Sequence, residues 1–200
     1  MPISCQIDDL RDRIISGIID REGGYVDDPA DQGGETRFGI TVDVARSYKY
    51  EGSMRDLPRN VAVAIYTDLY WHTLHLDEVA AISIKIAAEL ADTGVNMGVG
   101  TAGRFLQRAL NALNDGARLY PDLTVDGVIG PRTIAALHDY AAHRDAQGPM
   151  VLVAALNALQ GERYLSISEN APSQERFAFG WFAHRVVTSA YPNLEPERTP

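Results

Sequence analysis

A chain of 200 residues with 18 Lys and Arg against 27 Asp and Glu carries a formal net charge of −9. That balance excludes nucleic acid as an expected partner, because a phosphate backbone is bound through clustered basic side chains. Apolar residues make up 46% of the chain but no run reaches transmembrane length, so one compact domain or two packed lobes is expected, with a real core and no stable membrane insertion.

The single cysteine, Cys5, excludes an intrachain disulfide and points to synthesis in a reducing compartment. The polar start MPISCQIDDLRDR lacks the basic and apolar segments of a secretory signal, so any export is expected to come from elsewhere. Apolar residues then recur at helical spacing (Ile7, Leu10, Ile14, Ile15, Ile18, Ile19), and Gly23-Gly24 supplies a left-handed stop, which predicts a helix over 6–22 with Glu22 at its C-terminus. The negative end of the helix dipole, and burial against Tyr25, Val26 or Phe38, would disfavour ionisation of Glu22. A carboxyl kept protonated is what a donor to a glycosidic oxygen requires, so Glu22 is the candidate catalytic acid.

The stretch after it, with Asp27, Asp28, Asp31, Gly33-Gly34, Glu35, Thr36 and Phe38-Gly39-Ile40-Thr41, reads as a short twisted β-hairpin beside the helix end. Such a hairpin offers a second carboxylate, Asp31 or Glu35, and hydroxyls from Thr36 or Thr41 to place a water. Thr41-Val42-Asp43 is positioned to cap a second helix through Tyr48. Ser53–Trp71 follows as a helical stretch started by Leu57-Pro58 and buried through Val61, Ala64, Ile65 and Leu69. Its rings, Tyr66, Tyr70 and Trp71, either fill the core or stack on sugar faces, and helical spacing by itself favours the core.

His72 and His75 stand one turn apart, a spacing that can hold a metal if further ligands converge, but the sequence offers no such partners, and the aspartates of the turn lack the ordered pattern of a calcium loop. No metal or cofactor is expected. Ile82 to Thr93 reads as a helix ended by Gly94, and Val95–Gly100 as a tight connection into a helix over Thr101–Leu113. Asp92 and Asn96 flank the break, where they can cap helix ends or bind a sugar. Asp126–Thr133 is a turn whose Gly130-Pro131 starts the next helix. Helices over Met150–Ser168 and Arg176–Tyr191 complete the chain, before a proline-rich tail over 192–200.

In Glu22-Gly23-Gly24-Tyr25, Asp28-Pro29-Ala30-Asp31, Gly33-Gly34, Thr36 and Phe38-Gly39-Ile40-Thr41 the sequence resembles glycoside hydrolase family 108. These are N-acetylmuramidases of phages and bacteria with a lysozyme-like fold. Asp92–Gly98 and Gln107–Leu113 are similar to the family as well, and Thr124–Leu137 through Arg185 resembles its predicted peptidoglycan-binding half. Arg37 departs from the pattern, which leads one to expect a small polar residue there. The resemblance implies a mainly α, lysozyme-like helical fold with a small β-hairpin next to the catalytic glutamate. It assigns the acid to Glu22, and favours substrate contacts at Tyr70, Trp71 and Asn96.

The expected organisation is a catalytic region over 1–95, a peptidoglycan-binding region over 96–191 and a loose tail. The expected function is a monomeric muramidase cleaving the β-1,4 bond between N-acetylmuramic acid and N-acetylglucosamine in glycan strands. Its expected setting is a phage endolysin, made in the host cytoplasm and released to the wall by a holin. Asp31 and Thr36 join Glu22 as catalytic candidates, and Glu35, Thr41, Tyr70, Trp71, Asp92 and Asn96 are the candidates for binding substrate. The alternatives are a lytic transglycosylase cutting the same bond and a non-catalytic wall-binding scaffold.

Overall fold

The computed structural model describes residues 3–26 and 35–187. The chain is mainly α with one small antiparallel sheet, the lysozyme-like class expected, and it divides into two compact units, Met1–Asp77 and Glu78–Pro200.

In the first unit the apolar spacing becomes helix α1, Ile3–Glu22, which buries Leu10, Ile15, Ile18 and Ile19 and starts earlier than expected. Gly23 (φ +79°) ends it in the left-handed conformation that glycine adopts without penalty. The expected hairpin is present with a further strand beside it: β1 (Tyr25–Val26), β2 (Thr36–Arg37) and β3 (Ile40–Thr41) form an antiparallel sheet in that order. Val26 faces Thr36 across the first ladder and Thr36 faces Thr41 across the second. Phe38 and Gly39 turn β2 into β3 with φ of +54° and +70°, the two positive values that a mirror-image hairpin turn needs.

Thr41 caps α2 (Val42–Ser47) as expected, its hydroxyl accepting the Val44 N–H at 3.3 Å. A 3₁₀ turn, Met54–Asp56, leads to Leu57-Pro58 and α3, Arg59–Tyr66. Instead of continuing as an α-helix, the chain passes through a wide π-helical turn, Thr67–His72. The wider turn changes which side chains point inward. The buried residues are Ala62, Ile65, Tyr66 and Trp71, whereas Leu69, expected in the core, is 40% exposed and Ala64 is exposed.

Helix α4 (Leu76–Ile82), not anticipated, holds the boundary between the units. Ser83 then caps α5, Ile84–Met97, by accepting the Ile86 N–H. This helix runs through Gly94, which is buried within it, and stops at Gly98 (φ +89°). The residue expected to end the helix therefore packs inside it. In the second unit α5 packs along α6 (Val99–Ala112) and α8 (Gly148–Asn170), with α7 (Pro131–His143) against α6 and α8 and Pro131 in its first turn. The core of this unit contains Ile86, Leu90, Leu106, Leu110, Leu137, Leu152 and Leu156. Through this packing α5 belongs to the second unit, which begins at Glu78.

Two amides one turn apart on α6, and a third just past its end, hold the loop that precedes α7. Buried Gln107 donates from Nε2 to Asp126 (2.7 Å) and to the Val128 carbonyl (3.0 Å) and accepts the Gly127 N–H (2.8 Å). Asn111 pairs with both backbone groups of Leu123, and Asn114 with both of Tyr120. The Asp126–Thr133 run thus serves to join two helices, with the amides satisfying backbone groups that would otherwise be buried unpaired. After α8 come a 3₁₀ turn (Pro172–Gln174), α9 (Glu175–Trp181) and a π-helical turn (Phe182–Val187), so the helix expected over Arg176–Tyr191 is broken, and its last residues lie outside those described. No described helix is long and apolar enough to cross a membrane.

Candidate active site

Glu22 sits at the last position of α1, and the backbone stop at Gly23 delivers its side chain to the β2–β3 turn. A β-carbon added to Gly39 would lie 2.7 Å from Glu22 Oε2, 2.9 Å from the Tyr66 hydroxyl and 3.1 Å from Glu22 Cβ. Carboxylate and phenol therefore flank the same backbone position, and only glycine leaves room for them. The positive φ of Gly39 makes the same demand.

Phe38 is the strained member of the turn, since a left-handed conformation is costly for a residue with a side chain. Two contacts hold it. The Tyr66 hydroxyl donates to the Phe38 carbonyl at 2.7 Å, and the Arg37 guanidinium lies 5.1 Å from the Phe38 ring centroid. Arg37, the residue that departs from the family pattern, is thus accounted for by a contact on the turn itself.

Tyr66 and Tyr70 stand four residues apart and stack at 5.9 Å between centroids, at 21°. Burial pushes the Tyr66 phenol up to about 12, and the negative charge of Glu22 adds to the rise. Tyr70 is raised for the same two reasons in the same order. Both rings feel the Glu22 charge, which puts the carboxylate beside this aromatic pair. Glu22 is exposed, so the burial against Tyr25, Val26 or Phe38 that the sequence reading invoked is not found. Its carboxyl is open to an incoming substrate.

The other expected residues fall into several groups. Tyr70, half-buried, lies near enough to Glu22 to feel its charge. Trp71 is 0% exposed and its indole N–H donates to Asp77 at 2.9 Å, so it is a core residue with no face for a ligand. The hydroxyl of Thr41 accepts the Val44 N–H in capping α2. Thr36 lies in β2, half-buried, and among the described residues its hydroxyl has no hydrogen-bond partner. Glu35, also half-buried, immediately precedes that strand. Asp31 lies outside the described residues, as do Asp27 and Asp28.

Asp92 and Asn96 belong to the second unit, where Asn96 donates to the Asp92 carboxylate and carbonyl. Asp92 also accepts from Gln160 and pairs with Arg185. Among the described residues, no three His, Cys, Asp or Glu side chains gather to hold a metal, and His72 instead lies 3.4 Å from Asp68.

Sequence reasoning missed Tyr66 and Gly39 as members of the site. The signal for Tyr66 was its spacing: residues four apart share a helix face, which pairs Tyr66 with Tyr70 and turns Trp71 away.

The site is thus a helix-end carboxyl open to solvent beside a short sheet and a pair of stacked tyrosines, and the comparisons give its class. Residues 15–98 match the family model Glycosyl hydrolase 108, and residues 101–186 match the Predicted Peptidoglycan domain. Residues 15–98 thus form a glycoside hydrolase 108 domain. The solved structure of Brucella abortus SagA is similar in fold, with a TM-score of 0.54 at 22% identity over 94% of this chain and 98% of that one. Comparison with the curated proteins returned no match.

Proposed function

We propose that the protein is an N-acetylmuramidase that hydrolyses the β-1,4 bond between N-acetylmuramic acid and N-acetylglucosamine, with Glu22 protonating the leaving oxygen. The observation that carries this reading is the Glu22 carboxyl, exposed at a helix end and set against Gly39 and the Tyr66–Tyr70 pair, within the hydrolase match. Tyr66 is a positioning residue: it fixes the Phe38 carbonyl, and with it the turn that Glu22 packs on. Tyr70 offers a ring to a sugar face. Thr36 is the hydroxyl available to orient the attacking water, and Asp31 or Glu35 supplies the second carboxylate.

Mass analysis of the muropeptides released from purified peptidoglycan tests the bond and the chemistry. Reducing muramic acid ends establish hydrolysis at the proposed bond. Anhydro-muramic ends would make the protein a lytic transglycosylase, and reducing glucosamine ends would make it a glucosaminidase.

The same reading makes the protein an endolysin of phage type, produced in the host cytoplasm and acting on the wall after a holin opens the membrane. Expression in a bacterial host is expected to lyse the cells only when a holin is co-expressed. Lysis of intact cells without one would refute that setting.

A further inference from the structure

The second unit contains a pocket of about 210 Å³, lined among others by Asn96, Tyr164, Gln174, Trp181 and Arg185. Its aromatic side is a row of rings: Tyr164 stacks on Trp181 at 5.0 Å and 22°, and Trp181 on Phe177 at 6.1 Å and 30°. Its polar side holds a partly buried cation. The Arg185 guanidinium pairs with Asp92 through Nη1, and its other N–H groups have no hydrogen-bond partner among the described residues.

Hydrogen-bonding capacity is also unspent next to the pocket. The Tyr164 hydroxyl at the pocket wall, and Gln160 Oε1 and both side-chain polar atoms of Asn157 further along the same face of α8, are buried with no partner among the described residues. Buried polar atoms are nearly always paired, so a run of unpaired ones marks a place where water or a ligand supplies the partner. A second cavity in this unit, about 170 Å³ beside Gln107, Asp126 and Thr133, shows the contrast, because there the buried amide is fully engaged by the loop.

We propose that the Trp181–Arg185 pocket binds the muramic acid unit of peptidoglycan together with the first residues of its stem peptide. This rests on the reading of the chain as a peptidoglycan hydrolase. The chemistry is matched point for point. An arginine with free donors takes a carboxylate, of which the stem peptide has several. The amides of Asn96 and Gln174 suit acetamido and peptide groups, and the indole of Trp181 offers a flat apolar face to a pyranose ring. The volume is below that of a drug-sized ligand pocket, so it takes the pyranose ring, with the stem peptide running out from its opening past Arg185, and not a length of glycan. On a chain of net charge −9, a single cation inside a pocket also gives anionic wall fragments a local point of attachment against an overall repulsion.

The test is titration of the full wild-type chain with N-acetylmuramyl-L-alanyl-D-isoglutamine, followed by calorimetry and by tryptophan fluorescence. The two tryptophans separate cleanly, since Trp71 is buried in the first unit and Trp181 lines the pocket. Saturable binding is expected, with a fluorescence change kept in Trp71→Phe and lost in Trp181→Phe. Arg185→Gln should weaken binding about tenfold or more and Arg185→Lys by less, while N-acetylglucosamine, which has no carboxylate, should bind the wild type at least about tenfold more weakly. The two-ligand comparison and Gln174→Ala carry the test if Arg185→Gln does not fold.

Equal affinity for the two ligands, absence of saturable binding, or a fluorescence change that survives Trp181→Phe would overturn the assignment. Wall digestion by the same preparation distinguishes this from failure of the hydrolase reading. Digestion without fragment binding removes the pocket and leaves the enzyme, whereas binding without digestion supports the pocket and removes the catalytic assignment.

Discussion

Replacing Gly39 by alanine probes the contact on which the active-site account depends. The new Cβ meets Glu22 Oε2 at 2.7 Å and the Tyr66 hydroxyl at 2.9 Å, both closer than real Cβ contacts, at a residue whose φ is +70°. The left-handed conformation alone costs a residue with a Cβ about 1–2 kcal/mol. The steric part falls on the exposed Glu22 tip, which swings away at little cost in stability, and on the buried Tyr66 hydroxyl and Glu22 Cβ (3.1 Å), which give by a few tenths of an ångström. Catalysis has no such freedom, because a shift of about 1 Å in a reacting group costs on the order of 10²-fold. Gly39→Ala is therefore expected to lower the rate of dye release from labelled peptidoglycan about a hundredfold while destabilising the fold by only about 1–2 kcal/mol in urea. Gly17→Ala is the control: the position lies inside α1 with nothing within 4 Å, and the substitution should stabilise the helix by about 0.5–1 kcal/mol. Wild-type activity in Gly39→Ala, or a loss of activity explained wholly by unfolding, would refute the proposed packing of Glu22 on the turn.

Tyr66→Phe removes the donor to the Phe38 carbonyl and should cost about 1 kcal/mol in urea denaturation, with a fall in kcat larger than any change in KM, because the turn that supports Glu22 loosens. Gln107→Ala breaks three hydrogen bonds to the loop before α7 and should cost about 2–3 kcal/mol by the same measurement. Buried Tyr66, Tyr120 and Tyr164 are each pushed up to about 12, chiefly by burial, from an ordinary value of 10. Over that interval the folded state holds protons that the unfolded chain has released, so their contribution to stability is complete below pH 10 and is lost as pH rises toward 12. Melting temperature should accordingly fall between those two values, and phenolate absorbance should rise together with loss of helical circular dichroism. A phenolate signal completed at pH 10, in a chain that is still folded, would contradict the burial of these rings.

Much of the first unit was legible because local chemistry decides it. Periodic isoleucines followed by a glycine pair give α1 and its end, and Thr41 caps α2 because its hydroxyl is the nearest acceptor for an orphan N–H. The failures come from packing. The π-helical turn after Tyr66 shifts the inward face, so Leu69 is exposed while Trp71 is buried, and an unbroken helical period could not show this. Gly94 carries the same lesson: it is buried inside α5, and Gly98, with φ of +89°, ends the helix. In the candidate site, the position of Glu22 followed from the helix end alone. The proximity of Gly39 and Tyr66 depends on a turn and a helix brought together from separate parts of the unit, which no spacing in the chain records. Thr41 and Thr36 looked equivalent in sequence and differ because one hydroxyl is taken by a helix cap.

The measurement that bears most directly on the central claim is digestion of purified peptidoglycan by the wild type and by Glu22→Gln, with the products weighed by mass spectrometry. The glutamine keeps the shape of the side chain and cannot deliver the proton, so the rate should fall by about 10²–10⁴-fold with the fold and melting temperature unchanged. Reducing muramic acid ends should form with the wild type. Equal digestion by the two proteins would remove Glu22 as the acid and with it the account of this site.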